Sequence, residues 1–213
     1  MKSKPLIVVC AVVVIALALL MLRWQFTAPV TNLRPSTAAG DVLAEETARL
    51  LSGKGTVVVI GRAPPKESQT AGSEQVASFE VALKRRGSLK IAATEWLPRA
   101  PGPRMTAPAL TEEQLLALIE KNPEAGAVVV FTGLPPVTKP LADKIAARSL
   151  KVLAVCGYSV QVRRWLEKQA LAVVAVPRFS ELPPGTPAPK TVKDWFAQEF
   201  ELLTPESVGR LPY

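Results

Sequence analysis

The sequence predicts an α/β protein, in which one N-terminal transmembrane helix precedes a three-layer αβα sandwich with a five-stranded, mainly parallel sheet. Two observations predict the sandwich: short apolar runs of strand length recur along the chain, and amphipathic helical periods alternate with them. The runs are apolar throughout, as is typical of parallel strands covered on both faces. A third observation, an uncharged apolar segment near the start of the chain, predicts the transmembrane helix.

The N-terminal apolar segment covers residues 5–22, which carry no charged side chain. At a rise of ~1.5 Å per residue, a helix of this length nearly spans a hydrocarbon layer of ~30 Å. Lys2 and Lys4 precede the segment and Trp24 follows it, so the N-terminus is expected inside and the bulk of the chain outside. We therefore expect residues 1–22 to be a single-pass anchor in the inner (cytoplasmic) membrane, with the rest of the chain in the periplasm.

A cleaved signal peptide is the alternative interpretation of this segment. Residues 16–18 offer a small-x-small cleavage motif, but residues 19–22 continue the apolar run beyond it, which favours a retained anchor. Residues 23–40 hold two prolines and little periodic hydrophobicity, so they are predicted to be a tether. The α/β domain is then expected to cover residues 41–213.

Residues that start or stop secondary structure bound the elements of this domain. Asp41 is the predicted N-cap of the first helix, and Ser73 that of the second. Thr111 opens a capping box with Gln114. The predicted strands cover 56–60, 89–94, 127–131, 152–156 and 171–176. The predicted helices cover 41–52, 73–86, 111–119, 140–145, 162–168 and 192–203.

The composition excludes several classes of function. The chain has no histidine, which excludes a Ser-His-Asp triad, a histidine general base and a histidine-ligated metal. We therefore expect no enzyme activity, no metal and no cofactor. Half of the net charge of +8 comes from four basic residues at or near the apolar segment, and no basic stripe contains aromatic residues, so nucleic acid is not an expected partner. Cys156 falls in a predicted strand and is expected to be a core residue rather than a nucleophile.

The order and spacing of these segments resemble a known family. The features that carry the resemblance are the lead-in helix ending LLSGKGTVVVIG, the helix SFEVALKRRGSLKI, the unit LLALIEKNPEAGAVVVF, the strands KVLAVCGYS and ALAVVAVP, and the tail WFAQEFELLTPESVGRLP. Together they resemble the C-terminal lobe of the type 1 periplasmic binding proteins, the sugar-binding subunits of bacterial ABC importers. The resemblance covers most of residues 41–213.

In that family a sugar is clamped between two lobes by polar and aromatic groups at the carboxyl ends of the strands. The resemblance therefore implies a small, sugar-like ligand at that end of the sheet. This chain departs from the family pattern there: residues 131–133 (Phe-Thr-Gly) stand where Asn-Asp is usual, and residues 157–159 (Gly-Tyr-Ser) where Gly-Phe-Asp is usual. Residues 23–40 are too few to build a second lobe, so this chain offers half of a cleft.

The loops that follow the predicted strands supply the candidate ligand-binding residues. Because the carboxyl ends of parallel strands meet at one end of a sheet, these residues are expected to form one surface. The alternative is a purely structural role, in which Gly and Pro end the strands and Ser159 caps a helix. Trp165 and Trp195 are predicted core residues, whereas Trp96 is expected either to line the surface or to pack beneath the next loop. The candidates are Arg62, Thr132, Gly133, Tyr158, Ser159 and Arg178.

Together these features predict a membrane-tethered, extracytoplasmic, non-enzymatic module that resembles a substrate-binding protein. Its expected ligand is a small sugar-like molecule or a partner protein. One version is a sensing half that completes its cleft as a homodimer. Two alternatives are a degenerate lobe that serves as a subunit of a membrane assembly, and an enzyme that works without histidine.

Overall fold

The sheet of this protein has six strands, in the spatial order β2-β1-β3-β4-β5-β6. Strands β1 to β5 are parallel, and β6 is antiparallel to β5. The computed structural model describes residues 32–64, 70–98, 110–179, 182–183 and 185–210. The strands are β1 (Lys54–Arg62), β2 (Ser88–Leu97), β3 (Ala125–Val130), β4 (Lys151–Val155), β5 (Val173–Pro177) and β6 (Phe200–Leu203).

Helices cover both faces of the sheet, which gives the three layers that the sequence predicts. One face packs against the helices that start at Arg34, Ala71 and Val192. The other face packs against the helices that start at Glu112, Lys139 and Val160. A short 3₁₀ helix, Pro205–Arg210, follows β6. The helices are α1 (Arg34–Leu50), α2 (Ala71–Lys84), α3 (Glu112–Lys121), α4 (Lys139–Ala147), α5 (Val160–Glu167) and α6 (Val192–Glu199).

The side chains of β1 show why its sequence is a continuous apolar run. Val58 and Ile60 enter the core beneath α3, α4 and α5, whereas Val57 and Val59 enter the core beneath α1, α2 and α6. All four side chains are fully buried. Both faces of a covered strand exclude polar side chains, so the prediction of parallel strands from these runs is confirmed for β1 to β5.

A Thr or Ser hydroxyl caps the start of each described helix that follows a strand. In α2 the cap is Thr70 rather than the predicted Ser73, and Ser73 returns the bond by accepting the Thr70 backbone N–H over 2.9 Å. The predicted capping box of Thr111 and Gln114 is confirmed in α3. These hydroxyls satisfy backbone N–H groups that have no partner within the helix. The capping residues are Thr70, Thr111, Thr138, Ser159 and Thr191.

Helix α1 begins at Arg34, so the predicted helix start at Asp41 is wrong, and the last part of the predicted tether 23–40 is helical. Gly40 is buried against α2. A Cβ atom on Gly40 would lie 2.3 Å from the backbone carbonyl oxygen of Gln75, so the two helices approach each other backbone to backbone. The end of the segment that was predicted to be a tether, from its two prolines and weak hydrophobic periodicity, therefore contributes a helix-packing surface.

The last helix is shorter than predicted, because α6 ends at Glu199 and the next four residues form β6. The sheet consequently has six strands rather than five, and the sixth is antiparallel. Leu202 packs in the core beneath α1, whereas Leu203 packs in the core on the opposite face. This alternation has the period of a strand, and the open edge of β5 supplies the backbone partners that favour a strand here.

The predicted anchor, residues 1–22, lies outside the described residues, as does the tether up to residue 31. Within the described part of the chain, no helix combines the length and the apolar character needed to cross a membrane. Contacts divide the chain into two units, Met1–Asn32 and Leu33–Tyr213, and every element named above belongs to the second.

Candidate functional site

The strand order creates a topological switch point at one end of the sheet. β1 and β3 are neighbours, but the connection from β1 runs over one face through α2, whereas the connection from β3 runs over the other face through α4. In open α/β sheets, ligands bind outside the carboxyl ends of the strands at the point where the connections diverge in this way. We call this region the carboxyl edge. It comprises the ends of β1 and β2 and the residues that follow β3, β4 and β5, as far as the first turn of the next helix.

Arg62 and Thr132 lie at the carboxyl ends of the neighbouring strands β1 and β3. Ile60 of β1 pairs with Val130 of β3, and each candidate lies two residues beyond that pair. The Phe131 backbone N–H donates to the Ile60 carbonyl over 2.8 Å, which holds the two strand ends together. Nη1 of Arg62 and Oγ1 of Thr132 are buried, and neither atom has a hydrogen-bond partner within the described protein. The structure therefore brings these two predicted residues together as unsatisfied polar groups.

Gln161 shares this property, and reasoning from the sequence missed it. Its Oε1 is also buried and without a hydrogen-bond partner among the described residues. Gln161 lies in the first turn of α5, one turn before Trp165, and the Trp165 indole Nε1 donates to the carbonyl of Pro135 over 2.7 Å. That bond places the start of α5 beside the loop after β3, which begins with Thr132. The signal in the sequence was a polar residue two positions after the predicted helix cap Ser159.

Ser159 and Gly133 have structural roles at the same edge. The Ser159 hydroxyl accepts the Val162 backbone N–H over 3.4 Å, so the alternative interpretation of Ser159 as a helix cap is correct. Gly133 has a φ of +92°, a conformation that glycine adopts readily, and a Cβ there would meet no atom within 4 Å. Gly133 therefore turns the loop at an open position.

Tyr158 and Phe179 form an aromatic pair at the ends of β4 and β5. Their ring centroids lie 4.9 Å apart and their planes make an angle of 83°, which is an edge-to-face contact. Phe179 is 45% exposed, so one side of the pair faces outward. The predicted site residue Tyr158 thus contributes an aromatic surface to the carboxyl edge.

Trp96, near the end of β2, is partly exposed at the carboxyl edge, whereas the loop beneath which it was expected to pack lies outside the described residues. Its ring packs over Gly61 of β1, where a Cβ would lie 2.7 Å from a ring carbon, yet the residue remains 42% exposed. Trp165 is fully buried, which confirms its predicted core position. Trp195 is half-buried against the core beneath α1, and its ring lies under the Arg34 guanidinium, 5.4 Å from the ring centroid.

Arg178 is engaged with α6 rather than with the other candidates. Its Nε donates to the carbonyl of Ala197 over 2.8 Å, and its backbone N–H donates to the carbonyl of Glu199 over 2.9 Å. The side chain thereby caps the C-terminal end of α6. It lines a separate cavity of about 350 Å³ together with Pro187 and Asp194.

The chemistry of the described residues favours binding groups over reactive ones. Burial raises the pKa of the Cys156 thiol to about 12, so this side chain is protonated at neutral pH. It packs against the core beneath α5, as predicted for a core residue. Within the described ranges, no three Cys, Asp or Glu side chains come close enough to hold a metal ion. The carboxyl edge offers a guanidinium, a hydroxyl, an amide and aromatic rings.

The fold is similar to one lobe of the periplasmic binding proteins, and the solved structural neighbours are sugar-binding proteins, among them solute-binding proteins of ABC transporters. AraP, an arabinose-binding protein from Geobacillus stearothermophilus, matches with a TM-score of 0.55 and 13% identity over 84% of this chain and 63% of its own. A solute-binding protein from Burkholderia graminis in complex with D-arabinose also has a TM-score of 0.55, at 13% identity over 84% of this chain and 62% of its own.

A third match is the XylFII–LytSN complex, with a TM-score of 0.53 and 12% identity over 80% of this chain and 60% of that one. The chain thus spans about three-fifths of the length of the solved proteins that it matches. At these identities the likeness shows a common fold. No family model matches the sequence, and no curated protein sequence matches it significantly.

Proposed function

We propose that this chain is a non-enzymatic, sugar-binding module that holds its ligand at the carboxyl edge. One observation carries the proposal: the buried polar atoms of Arg62, Thr132 and Gln161 have no partner within the described protein. An unsatisfied buried polar group costs about 1–3 kcal/mol, so three of them at one edge favour a ligand that satisfies them. Sugars present hydroxyl groups that both donate and accept hydrogen bonds.

The aromatic side chains at the same edge support this proposal. Trp96, Tyr158 and Phe179 add apolar ring surface at the ends of β2, β4 and β5, and Trp96 and Phe179 are about half exposed. Small-molecule sites in proteins typically combine apolar and aromatic walls with a few polar groups that fix the orientation of the ligand. The edge has this composition. The solute-binding protein from Burkholderia graminis, which is 13% identical to this chain, was solved in complex with D-arabinose.

A thermal-unfolding screen of the full chain in mild detergent tests the proposal. D-Arabinose, D-galactose and related monosaccharides at millimolar concentration are expected to raise the melting temperature, since a ligand at 100 times its Kd adds about 2.7 kcal/mol of stability. Thr132→Val removes one hydroxyl and is expected to weaken binding about two- to tenfold. Thr56→Val, the same change on β1 at the opposite end of the sheet, is the control. No shift with any sugar would refute the proposal.

We also propose that residues 1–22 are a retained anchor that holds this module outside the inner membrane. The uncharged apolar segment and the lysines before it support this part of the proposal. The test is to express the full chain in a Gram-negative host, extract the membranes with carbonate, and measure the mass of the mature protein. A soluble protein that begins after residue 18 would identify a cleaved signal peptide instead.

A second candidate is that the carboxyl edge binds a protein, either a second copy of this chain or another component of a membrane assembly. The large exposed apolar side chains at this edge favour it, with Trp96 at 42% and Val160 at 64% exposure. A symmetric dimer through this edge would enclose a ligand that one lobe leaves open. Sedimentation in detergent with and without D-arabinose tests this version. A monomer under both conditions excludes the homodimer.

A further inference from the structure

The unsatisfied guanidinium at the carboxyl edge points to the charge of the ligand. Arg62 carries a full positive charge under all physiological conditions, and its Nη1 is buried without a partner within the described protein. None of the ion pairs among the described residues includes Arg62. An unpaired cation that is partly removed from water is costly, and a neutral hydroxyl satisfies it less well than an anion does.

Among the described residues at the carboxyl ends of β1 and β2, one carboxylate is present, Glu95 of β2, and it forms an ion pair with Lys121 over 3.2 Å. The described loops after β3, β4 and β5 carry no Asp or Glu between residues 131 and 138, between 156 and 159, or at 178 and 179. The carboxylates at the starts of the neighbouring helices are held by neutral partners and keep their charge: Glu74 accepts from the Thr37 hydroxyl over 3.0 Å, and Glu112 accepts from the Thr138 hydroxyl. The helices α4 and α5 begin at this edge, so the positive ends of their dipoles add to the same potential.

The other two unsatisfied atoms define the rest of the ligand. The Thr132 hydroxyl either donates or accepts a hydrogen bond, whereas Oε1 of Gln161 only accepts one. A ligand that satisfies all three atoms therefore carries an anionic group for Arg62 and at least one hydroxyl donor for Gln161. A sugar acid, such as a uronate, has both groups on one small ring.

We propose that the carboxyl edge selects a sugar acid over the corresponding neutral sugar, with the carboxylate of the ligand on Arg62 and a ligand hydroxyl on Gln161. This inference rests on the proposed sugar-binding function and adds the chemical class of the ligand. Thr132 lies between the two and bonds to either end of the ligand.

Isothermal titration calorimetry on the full chain in mild detergent tests the selection. D-Galacturonate and D-galactose are the matched probes, because they differ only in a carboxylate or a hydroxymethyl group at C6. We expect galacturonate to bind at least about tenfold more tightly, since hydrogen bonds to charged groups are worth about twice those between neutral groups. The preference should fall as salt is added, because salt screens partly exposed charges.

Three variants assign the selection to named residues. Arg62→Gln is expected to abolish the preference for galacturonate, while Arg62→Lys keeps the charge and should retain part of it. Gln161→Glu places a carboxylate near the ligand and should weaken galacturonate more than galactose. Arg85→Gln removes the same charge at the C-cap of α2, at the opposite end of the sheet, and should leave both affinities unchanged. A thermal-unfolding measurement on each variant verifies that it is folded.

The outcomes separate this inference from the proposed function. If galactose binds as tightly as galacturonate, the selection of a sugar acid is refuted and the sugar-binding function stands. If galacturonate is preferred but Arg62→Gln leaves the preference intact, the assignment to Arg62 is wrong. If neither ligand binds at millimolar concentration, this inference fails, whereas the proposed function fails only if the wider monosaccharide screen gives no shift either.

Discussion

The contact of α1 with α2 gives a sharp test of where the folded unit begins. Gly40→Ala adds one methyl group inside that contact. The new Cβ would lie 2.0 Å from the Ser78 Oγ, 2.3 Å from the Gln75 carbonyl oxygen and 2.8 Å from the Phe79 backbone nitrogen. The hydroxyl of Ser78 can rotate away, but the backbone atoms cannot. Since the closest ordinary carbon–oxygen contact is about 3.3 Å, the two helices must separate by roughly 1 Å.

Two opposing effects decide the magnitude. Alanine stabilises a helix interior by about 0.5–1 kcal/mol relative to glycine. Against this, overpacking of a well-packed contact costs about 1–3 kcal/mol or more, and a gap of about 1 Å forfeits up to half of the dispersion energy between the surfaces it separates. We expect the overpacking to dominate, so that Gly40→Ala lowers the free energy of unfolding by about 2 kcal/mol. The melting temperature should fall by about 4–8 °C.

Thermal and urea unfolding of the full chain in mild detergent, followed by circular dichroism, measures this change. Gly72→Ala is the matched control: Gly72 lies in the first turn of α2, and a Cβ there meets no atom within 4 Å. That variant should be as stable as the parent chain or about 0.5 kcal/mol more stable. If Gly40→Ala behaves like Gly72→Ala, then α1 does not pack on α2 at Gly40, and the tether predicted to reach residue 40 would be correct.

Three further predictions concern single side chains. Trp165→Phe removes the donor to the Pro135 carbonyl and should lower the stability to urea by about 1–3 kcal/mol; an unchanged midpoint would contradict the bond. Thr132→Val removes an unsatisfied buried hydroxyl and should raise the stability of the ligand-free protein by about 1 kcal/mol, whereas a loss would indicate a protein partner for Thr132. Burial raises the pKa of Cys156 from its ordinary value of 9.0 to about 12, so iodoacetamide at pH 8 should modify it only after unfolding, as mass spectrometry of its peptide will show. Because the folded pKa is the higher one, this thiol stabilises the fold fully below pH 9, and its contribution disappears as the pH rises towards 12.

The parallel strands were predictable because the apolar runs in their sequences reflect burial on both faces of the sheet. In β1 and β3, four consecutive apolar residues are each fully buried, and the flanking residues are less buried or exposed. A strand buried on both faces needs apolar residues at every position, so no knowledge of its neighbours is required. The caps Thr111 and Ser159 were predictable for a similar reason, since a helix start has unpaired N–H groups whatever surrounds it.

The two errors in the secondary structure arose where local sequence and tertiary contacts disagree. The segment before Asp41 is rich in small residues, which are typical of a linker, yet at Gly40 they allow the close approach to α2. At Phe200 the hydrophobic pattern fits a helix, yet the open edge of β5 offers the hydrogen bonds of a strand. In both cases the deciding partner lies more than 20 residues away in the sequence.

The candidate site divides in the same way. The sequence by itself determined that Arg62 and Thr132 lie at the carboxyl ends of parallel strands, because the position of a strand end can be read from its apolar run. Only the tertiary structure decided which candidates meet. It placed Gln161 beside the loop after β3 through the bond from Trp165 to Pro135, and it committed Arg178 to the carbonyl of Ala197. The physical reason is that a strand end follows from local burial, whereas the partners of a polar side chain depend on segments that meet only when the chain folds.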